Sequence, residues 1–308
     1  MTSWAHKHQA WRKALRWVRH AGEGLLQFLL LGFFWILPLD WASNLGGWLT
    51  RQIGSRLSVS RRAMKHLRIA FPDMPEAECK RIVAGMWDNL GRLVAEYPHL
   101  GRIADPETGR IEVIGNERLE ELRHAGRPFI VVSAHMANFE LMPIAAYKHG
   151  HNLTVVSRPV NNPIIQRILL YFRQRPTGDW GKIPKGVSGA RQAVKLLQEG
   201  LNLGVLVDQR VSQGVPLPLF GQPARTNLGI AKLAIEHDVK VFPAHLERLG
   251  GARFRLTVEA PLQRPDLGDN QAEARAMMTE VNRILERWIR HRPEDWLWLH
   301  RRWDRPQK

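Results

Sequence analysis

Cysteine is nearly absent from this chain, because Cys79 is the only one in 308 residues. A single cysteine excludes an internal disulfide bond and a zinc site built from cysteines, and it is compatible with a reducing, cytosol-facing location. The histidines lack the His-x-x-x-His and His-Glu-x-x-His spacings of metal ligands. No Walker or Rossmann glycine pattern follows a predicted strand. We therefore expect neither a bound metal nor a cofactor.

Acidic residues are also scarce, since Lys and Arg number 45 against 29 Asp and Glu, a net charge of +16. Such an excess predicts an acidic partner, which is anionic lipid, nucleic acid or an acidic carrier protein. No Gly/Ser linker or shift in composition divides the chain near its middle. We therefore expect one large domain, residues 59–308, behind an N-terminal segment, residues 1–58.

The first 20 residues contain five Lys or Arg and no acid. Apolar side chains can share one face of a helix there: Trp4, Trp11, Leu15 and Val18. A basic amphipathic helix with tryptophans is typical of proteins that bind a membrane surface.

A run of apolar residues, LLQFLLLGFFWILPL, follows at residues 25–39. As a helix it spans about 22 Å, which is short for a hydrocarbon layer of about 30 Å. Four interpretations compete: a signal peptide, a transmembrane anchor, a half-inserted monotopic helix and a buried core helix. A signal peptide is disfavoured because no small-x-small cleavage site follows, and Trp41 and Trp48 continue the aromatic character.

We expect this run to attach the protein to the cytoplasmic face of a membrane. Lys and Arg lie before it, and a second basic group, Arg61, Arg62, Lys65 and Arg68, follows it. Positive charge on both sides predicts that both ends of the run stay on the cytoplasmic side.

Short apolar strands alternate with helices along the rest of the chain, which predicts an α/β fold with a central, mostly parallel or mixed sheet flanked by helices. The strands are expected at residues 111–114, 129–132, 153–157, 203–207, 217–220, 241–246 and 254–258. Helices are expected within 61–98, from 117, from 138, and at 164–172, 188–198, 228–235 and 271–291.

The stretch PFIVVSAHMANFE, residues 128–140, carries the first candidate site. Its apolar run predicts a strand buried on both faces, after which His135 and Glu140 fall on a strand-to-helix turn. An imidazole can take the proton of a hydroxyl nucleophile, and a carboxylate on its other nitrogen orients it. The pair His135 and Glu140 therefore predicts a general base and its orienting acid, although a hydrogen-bonded surface histidine would look the same.

Polar residues also follow two other predicted strands. Arg158 and Asn161 lie in SRPVNNP, and Asp208 and Gln209 end the strand at residues 203–207. Ligands gather at such strand ends in open α/β sheets, so these residues are candidates for substrate binding. Lys182 and Lys185 precede a predicted helix whose N-terminus could receive an anion.

The C-terminal stretch PEDWLWLHRRWDRP interleaves tryptophans with arginines. This composition suits stacking on nucleic-acid bases or a membrane interface. It is equally compatible with a tail that packs onto the domain.

Several motifs in this order resemble the late acyltransferases of bacterial lipid A biosynthesis, within the lysophospholipid acyltransferase superfamily. They are IAFP (69–72), HMANFE (135–140), SRPVNNP (157–163), DQ (208–209), LFGQPARTN (219–227) and PEDWLWLHRRW (293–303), after an apolar N-terminal segment. The resemblance covers most of the chain and implies a glycerol-3-phosphate acyltransferase-like fold.

The resemblance implies that His135 is the general base for an acceptor hydroxyl and Glu140 its orienting carboxylate, where family members often carry Asp. Arg158 would bind phosphate or the acyl carbonyl region, and Asp208 would lie on the floor of the active site. Residues 59–308 would form the acyltransferase domain, at the cytoplasmic face of a bacterial inner membrane.

The implied acyl donor is a thioester of acyl carrier protein, whose acidity agrees with the basic chain. The implied acceptor is a lipid A precursor or another anionic glycolipid or phospholipid, and no nucleic acid is expected as a partner. Three alternatives remain open: an acyltransferase for lysophospholipids or other lipid hydroxyls, a basic nucleic-acid-binding protein, and a non-catalytic membrane scaffold.

Overall fold

The computed structural model describes residues 2–157, 159–178, 182–184 and 186–304, without the side chains of residues 2–10, 14 and 187. Its strands are β1 (Ile111–Ile114), β2 (Phe129–Ser133), β3 (Leu153–Ser157), β4 (Lys182–Pro184), β5 (Asn202–Leu206), β6 (Val215–Leu219), β7 (Gln222–Thr226), β8 (Lys240–Gly250) and β9 (Arg253–Val258). Its helices are α1 (Thr2–Ile36), α2 (Leu39–Gly54), α3 (Ser60–Ala70), α4 (Glu76–Glu96), α5 (Leu100–Ile103), α6 (Glu117–His124), α7 (Leu141–Lys148), α8 (Pro163–Gln174), α9 (Val187–Gln198), α10 (Gly229–Glu236) and α11 (Asn270–His291).

The main sheet has the strand order β1-β9-β8-β2-β5-β3-β4. Its pairings are parallel except for the antiparallel pair β8 and β9. Strands β6 and β7 form a separate antiparallel hairpin. The expected mixed α/β fold with a mostly parallel central sheet is therefore confirmed. Strands β4 and β7 were missed, because their three and five residues contain little of the apolar pattern that marks the other strands.

Strand β2 lies inside the sheet and is buried along its whole length. Ile130 and Val132 pack into one apolar core, and Phe129 and Val131 pack into the core on the opposite face. Successive side chains of a strand point to opposite faces, so the unbroken apolar run of β2 serves both layers of helices.

Helix α1 runs without interruption through the basic segment and most of the apolar run, and it ends just before Pro38. Leu31 and Phe34 are buried against the domain, but most of the large apolar side chains of α1 and α2 face outward. Exposed examples are Trp11, Trp17, Leu25, Leu26, Phe28, Leu29, Phe33, Trp35, Ile36, Trp41 and Trp48. Among the helices that the structure describes, none combines the length and the hydrophobicity that a membrane span requires.

Helix α2 packs closely on α4. A Cβ placed on Gly46 would lie 2.6 Å from the carbonyl oxygen of Gly91, so only glycine allows this approach. The hydroxyl of Thr50 donates to the carbonyl of Trp87 at 2.7 Å. The second helix of the N-terminal segment is thus bound to the main domain by backbone contact, and the boundary at residue 58 stays a prediction.

Candidate active site

The site lies at the carboxyl edge of β2 and β5. These strands are parallel neighbours in which Ser133 pairs with Leu206. His135 and Asp208 each lie two residues beyond that pair, so the sheet register brings them together across 73 residues of sequence.

Asp208 is the carboxylate that holds the imidazole. One of its oxygens accepts from Nδ1 of His135 at 2.8 Å, and the other accepts from the backbone N–H of His135 at 3.0 Å and from Nε1 of Trp296 at 2.8 Å. Asp208 is 1% exposed, and such burial alone would raise its pKa. The charge of His135 and these three donors outweigh burial and hold the pKa of Asp208 well below its usual range.

The other imidazole nitrogen, Nε2, lies away from Asp208, and His135 lines a cavity of about 610 Å³. The side-chain amide nitrogen of Gln209 lies 3.2 Å from this nitrogen and 3.4 Å from Nε2 of His300. The rings of His135 and His300 are 4.7 Å apart. Apolar residues form much of the cavity wall: Val131, Phe139, Met142, Leu153, Val155, Val205, Leu206 and Leu297. The imidazole of His135 thus borders a largely apolar cavity.

Glu140 corrects the sequence-based expectation. It lies at the N-cap of α7, as predicted, but its carboxylate pairs with the guanidinium of Arg173 on α8, with Nε at 2.7 Å. Tyr97 interacts with both partners, and its burial raises the pKa of its hydroxyl well above the ordinary value. The carboxylate that orients His135 is therefore Asp208, and Glu140 lines the cavity as half of a buried ion pair.

The remaining predicted residues divide into two groups. Asn161, Lys182 and Gln209 line the cavity, as their positions after or beside strand ends suggested. Arg158 and Lys185 lie outside the described residues, so their expected roles stay predictions.

The C-terminal segment supports the histidine turn. Met136 forms a β-bridge with Trp296, the N–H of Ala137 donates to the carbonyl of Asp295, and the N–H of Leu297 donates to the carbonyl of His135. Ala137 takes a left-handed φ of 46°, which turns the chain out of β2. Sequence reasoning missed Trp296 and His300 as site residues, although the WLWLH motif marked this segment.

The tryptophans of this segment are packed inside the protein. Trp296, Trp298 and Trp303 are all buried, as is the side chain of Arg302. Buried rings cannot stack on bases, so the interpretation as a tail packed on the domain is confirmed, and the nucleic-acid hypothesis loses this support.

A buried polar network lies behind the turn. Arg248 pairs with Glu96 at 2.6 Å, and Glu96 also accepts from Nδ2 of Asn138 at 2.8 Å. The amide of Asn89 donates to the carbonyls of Ala137 and Asp295, both at 3.3 Å. Helix α4 therefore fixes the backbone that carries His135.

The chain also matches a known protein family along most of its length. The model of the bacterial lipid A biosynthesis acyltransferases matches residues 9–305. The chain belongs to this family. Acyl transfer in lipid A biosynthesis is the activity that this membership supports.

Several curated relatives match most of the chain. The chain is 27% identical to the lipid A biosynthesis lauroyltransferase of Escherichia coli (strain K12), with 90% of each chain covered. It is 25% identical to a lipid A biosynthesis acyltransferase of Haemophilus influenzae, covering 90% of this chain and 85% of the relative. It is 24% identical to the lipid A biosynthesis myristoyltransferase of E. coli (strain K12), covering 79% of this chain and 74% of the relative.

Proposed function

We propose that this protein transfers a fatty acyl chain from an acyl carrier protein thioester to a hydroxyl of a lipid A precursor at the membrane surface. The observation that carries the proposal is the hydrogen-bonded pair of His135 and Asp208 at an apolar cavity, in a chain of the lipid A acyltransferase family.

In the proposed reaction, Nε2 of His135 takes the proton of the acceptor hydroxyl as its oxygen attacks the thioester carbonyl. Asp208 orients the ring through Nδ1 and stabilises the imidazolium that forms. The carbon–sulfur bond of the tetrahedral intermediate then breaks, and the leaving thiolate takes the proton from the imidazolium. The ester and the free thiol are the products.

Gln209 is suited to stabilise the negative oxygen of that intermediate. Its side-chain amide nitrogen lies 3.2 Å from the nitrogen that activates the hydroxyl. Amide donors aimed at a developing oxyanion stabilise acyl-transfer transition states. Asn161 at the cavity wall and Arg158 are proposed to bind polar groups of the substrates.

The apolar wall of the cavity is suited to hold the acyl chain while the thioester carbonyl lies beside His135. The acidic carrier protein and the phosphates of a lipid A precursor are both complementary to a chain of net charge +16. These charges support the proposed donor and acceptor together.

The exposed apolar side chains of α1 and α2 support attachment to the cytoplasmic face of the inner membrane. Arg61, Arg62, Lys65 and Arg68 are exposed on α3, where they can contact an anionic leaflet. Peripheral attachment would bring the site to a lipid acceptor and leave it open to a cytosolic carrier.

The test is an acyl-transfer assay with the purified full chain in detergent. Radiolabelled lauroyl, myristoyl and palmitoleoyl thioesters of acyl carrier protein and of coenzyme A are offered with a lipid A precursor or with lysophospholipid. We expect labelled lipid A product with the carrier thioesters, and a loss of about 10² to 10⁴ in rate for His135→Ala.

Other products would overturn parts of the proposal. Transfer to lysophospholipid alone would make the protein a different lipid O-acyltransferase, and equal use of coenzyme A thioesters would remove the dependence on the carrier. A folded protein that binds membranes without any transfer would be a scaffold.

A further inference from the structure

A second cavity lies at the C-terminal end of α1, with a volume of about 790 Å³. Three basic residues contribute to its wall: Arg102 in α5, Lys148 at the end of α7 and Arg175 just after α8. No acidic residue is among its described lining residues. Three cations from three separate elements therefore meet around one open space.

The charges of this basic cavity are available for a ligand. Asp40 interacts electrostatically with Arg102. Its two carboxylate oxygens, however, accept hydrogen bonds from the guanidinium of Arg110 at 2.8 and 2.9 Å. The guanidinium of Arg175 lies 5.2 Å from the ring centre of Trp35, which orients it over the end of α1. The carbonyl ends of α1, α5, α7 and α8 each carry at most about half a negative charge, so the three cations leave the cavity with a net positive charge.

An apolar groove of about 420 Å³ adjoins the basic cavity. The two spaces share Trp35 and Phe172 as wall residues. The groove runs between α1 and α8, and its other walls include Phe28, Leu31, Ile168 and Tyr171. A basic cavity continued by an apolar groove matches the shape of an amphiphile with an anionic head.

We propose that this cavity and groove bind one molecule of an anionic phospholipid from the membrane, with the phosphate among Arg102, Lys148 and Arg175 and an acyl chain between α1 and α8. The site opens beside Ile36, which is 86% exposed at the end of the apolar face of α1, so a lipid can enter from the bilayer.

This lipid site is separate from the cavity at His135. Arg173 of α8 lines the cavity at His135, whereas Phe172 and Arg175 line the basic cavity. No described residue lines both spaces. The bound phospholipid is therefore neither the acyl donor nor the acceptor, and it fixes α1 against α8.

The charge contribution is tested with the full chain and dioctanoyl phosphatidylglycerol in nonionic detergent, measured by native mass spectrometry and calorimetric titration. The variant Arg102→Gln/Lys148→Gln/Arg175→Gln removes the three cations. Its matched control, Arg191→Gln/Lys240→Gln/Arg275→Gln, removes the same charge from exposed positions on α9, β8 and α11. We expect one lipid per protein, bound about tenfold or more weakly by the first variant and unchanged in the control.

The groove is tested with two glycines of α1. A Cβ on Gly32 or on Gly22 meets no atom within 4 Å, so both positions accept a side chain, and glycine is a poor helix former. Gly32 lines the groove and Gly22 is not among its described lining residues. Gly32→Leu is expected to fill the groove and abolish lipid binding, and Gly22→Leu to retain it, with both variants as helical as the wild type by circular dichroism.

Specific results would overturn the lipid site. Equal weakening in the two charge variants would show nonspecific attraction, and equal binding by the two leucine variants would show that no chain occupies the groove. Phosphatidylcholine bound as tightly as phosphatidylglycerol would remove the role of the cations. Glycerol 3-phosphate bound as tightly as the lipid would reduce the site to a phosphate site. None of these readouts depends on acyl transfer, so they are separate from the test of the proposed function.

Discussion

His135 is held by a carboxylate that lies just beyond another strand, so the loss of Asp208 should lower turnover about as much as the loss of His135. Asp208→Asn keeps the side chain's shape but removes the charge that stabilises the imidazolium. It also replaces an acceptor of three hydrogen bonds with a group that has N–H donors of its own. We expect turnover to fall by about 10² to 10⁴. The measurement is steady-state transfer by the folded variant.

The comparison variant is Glu140→Gln, which removes the other nearby carboxylate and keeps its size. If Glu140→Gln abolished turnover while Asp208→Asn retained it, Glu140 would be the acid that acts with His135. The geometry of the hydrogen bonds would then describe a resting arrangement only.

Asp295 links the site to the pH dependence of stability. Burial raises its pKa from 3.8 to about 6, against the opposing effects of the N–H and the charge of Arg248. Between about pH 4 and pH 6 the folded protein keeps this proton and the unfolded chain loses it, so stability falls as the pH rises through this window. A difference of about two pH units corresponds to about 3 kcal/mol.

Asp295→Asn should therefore be more stable than the wild type above pH 6, by up to about 3 kcal/mol. The advantage should vanish below about pH 4, where the aspartate is neutral in both states. Denaturant titrations of both proteins from pH 4 to pH 8 give the difference directly. A constant difference across that range would mean that Asp295 does not titrate as proposed here.

At the scale of secondary-structure elements, helix α8 connects α1 to the candidate active site. Its N-terminal cap, Asn162, donates to the carbonyl of His20 and to the carboxylate of Glu23 on α1, both at 2.9 Å. At its other end, Arg173 pairs with Glu140. Helix α8 is thus held by polar contacts at both ends, and the ion pair attaches it to the turn that carries His135.

The pair of Arg173 and Glu140 can be tested by removing one partner or both. Glu140→Leu and Arg173→Met each leave a buried charge without a partner and should cost about 3 to 5 kcal/mol of unfolding free energy. The double variant leaves no charge behind, so it should recover much of that loss. Unfolding free energies of the four proteins give the coupling, and strictly additive losses would contradict a buried pair.

At the scale of the whole molecule, the proposed attachment of α1 and α2 to the membrane predicts a topology. We expect residues before and after the apolar run 25–39 to remain on the cytoplasmic side. Single cysteines at Lys13 and Ser58, both exposed positions, should resist a membrane-impermeant maleimide in intact spheroplasts and react after lysis. The background is Cys79→Ser, and Cys79 itself is buried.

Labelling of the Ser58 position from outside would contradict this topology. It would also place the cavity at His135 away from a cytosolic carrier protein, so the proposed donor would fail with it. Ser60 is unsuitable for such a probe because it is buried and bonded to the carbonyl of Gly54 and to Trp87.

Local sequence patterns are sufficient to predict the elements of this protein that short-range periodicity determines. The apolar run of β2, the helical stripe of α4 and the strand-to-helix turn at His135 follow from periodicity and from the burial that it implies. The sequence alone also determined the basic character of the chain, the apolar N-terminal run and the motifs by which the family resemblance was recognised.

Only the tertiary structure decided which side chains meet. The sequence predicts that Glu140, five residues from His135, orients it. In the structure, the register of β2 against β5 places Asp208 beside His135. The C-terminal segment places Trp296 where its Nε1 donates to Asp208. The basic cavity likewise collects Arg102, Lys148 and Arg175 from distant elements. Strand register and helix packing are set by the burial of apolar surface over the whole domain, which no local spacing of polar residues encodes.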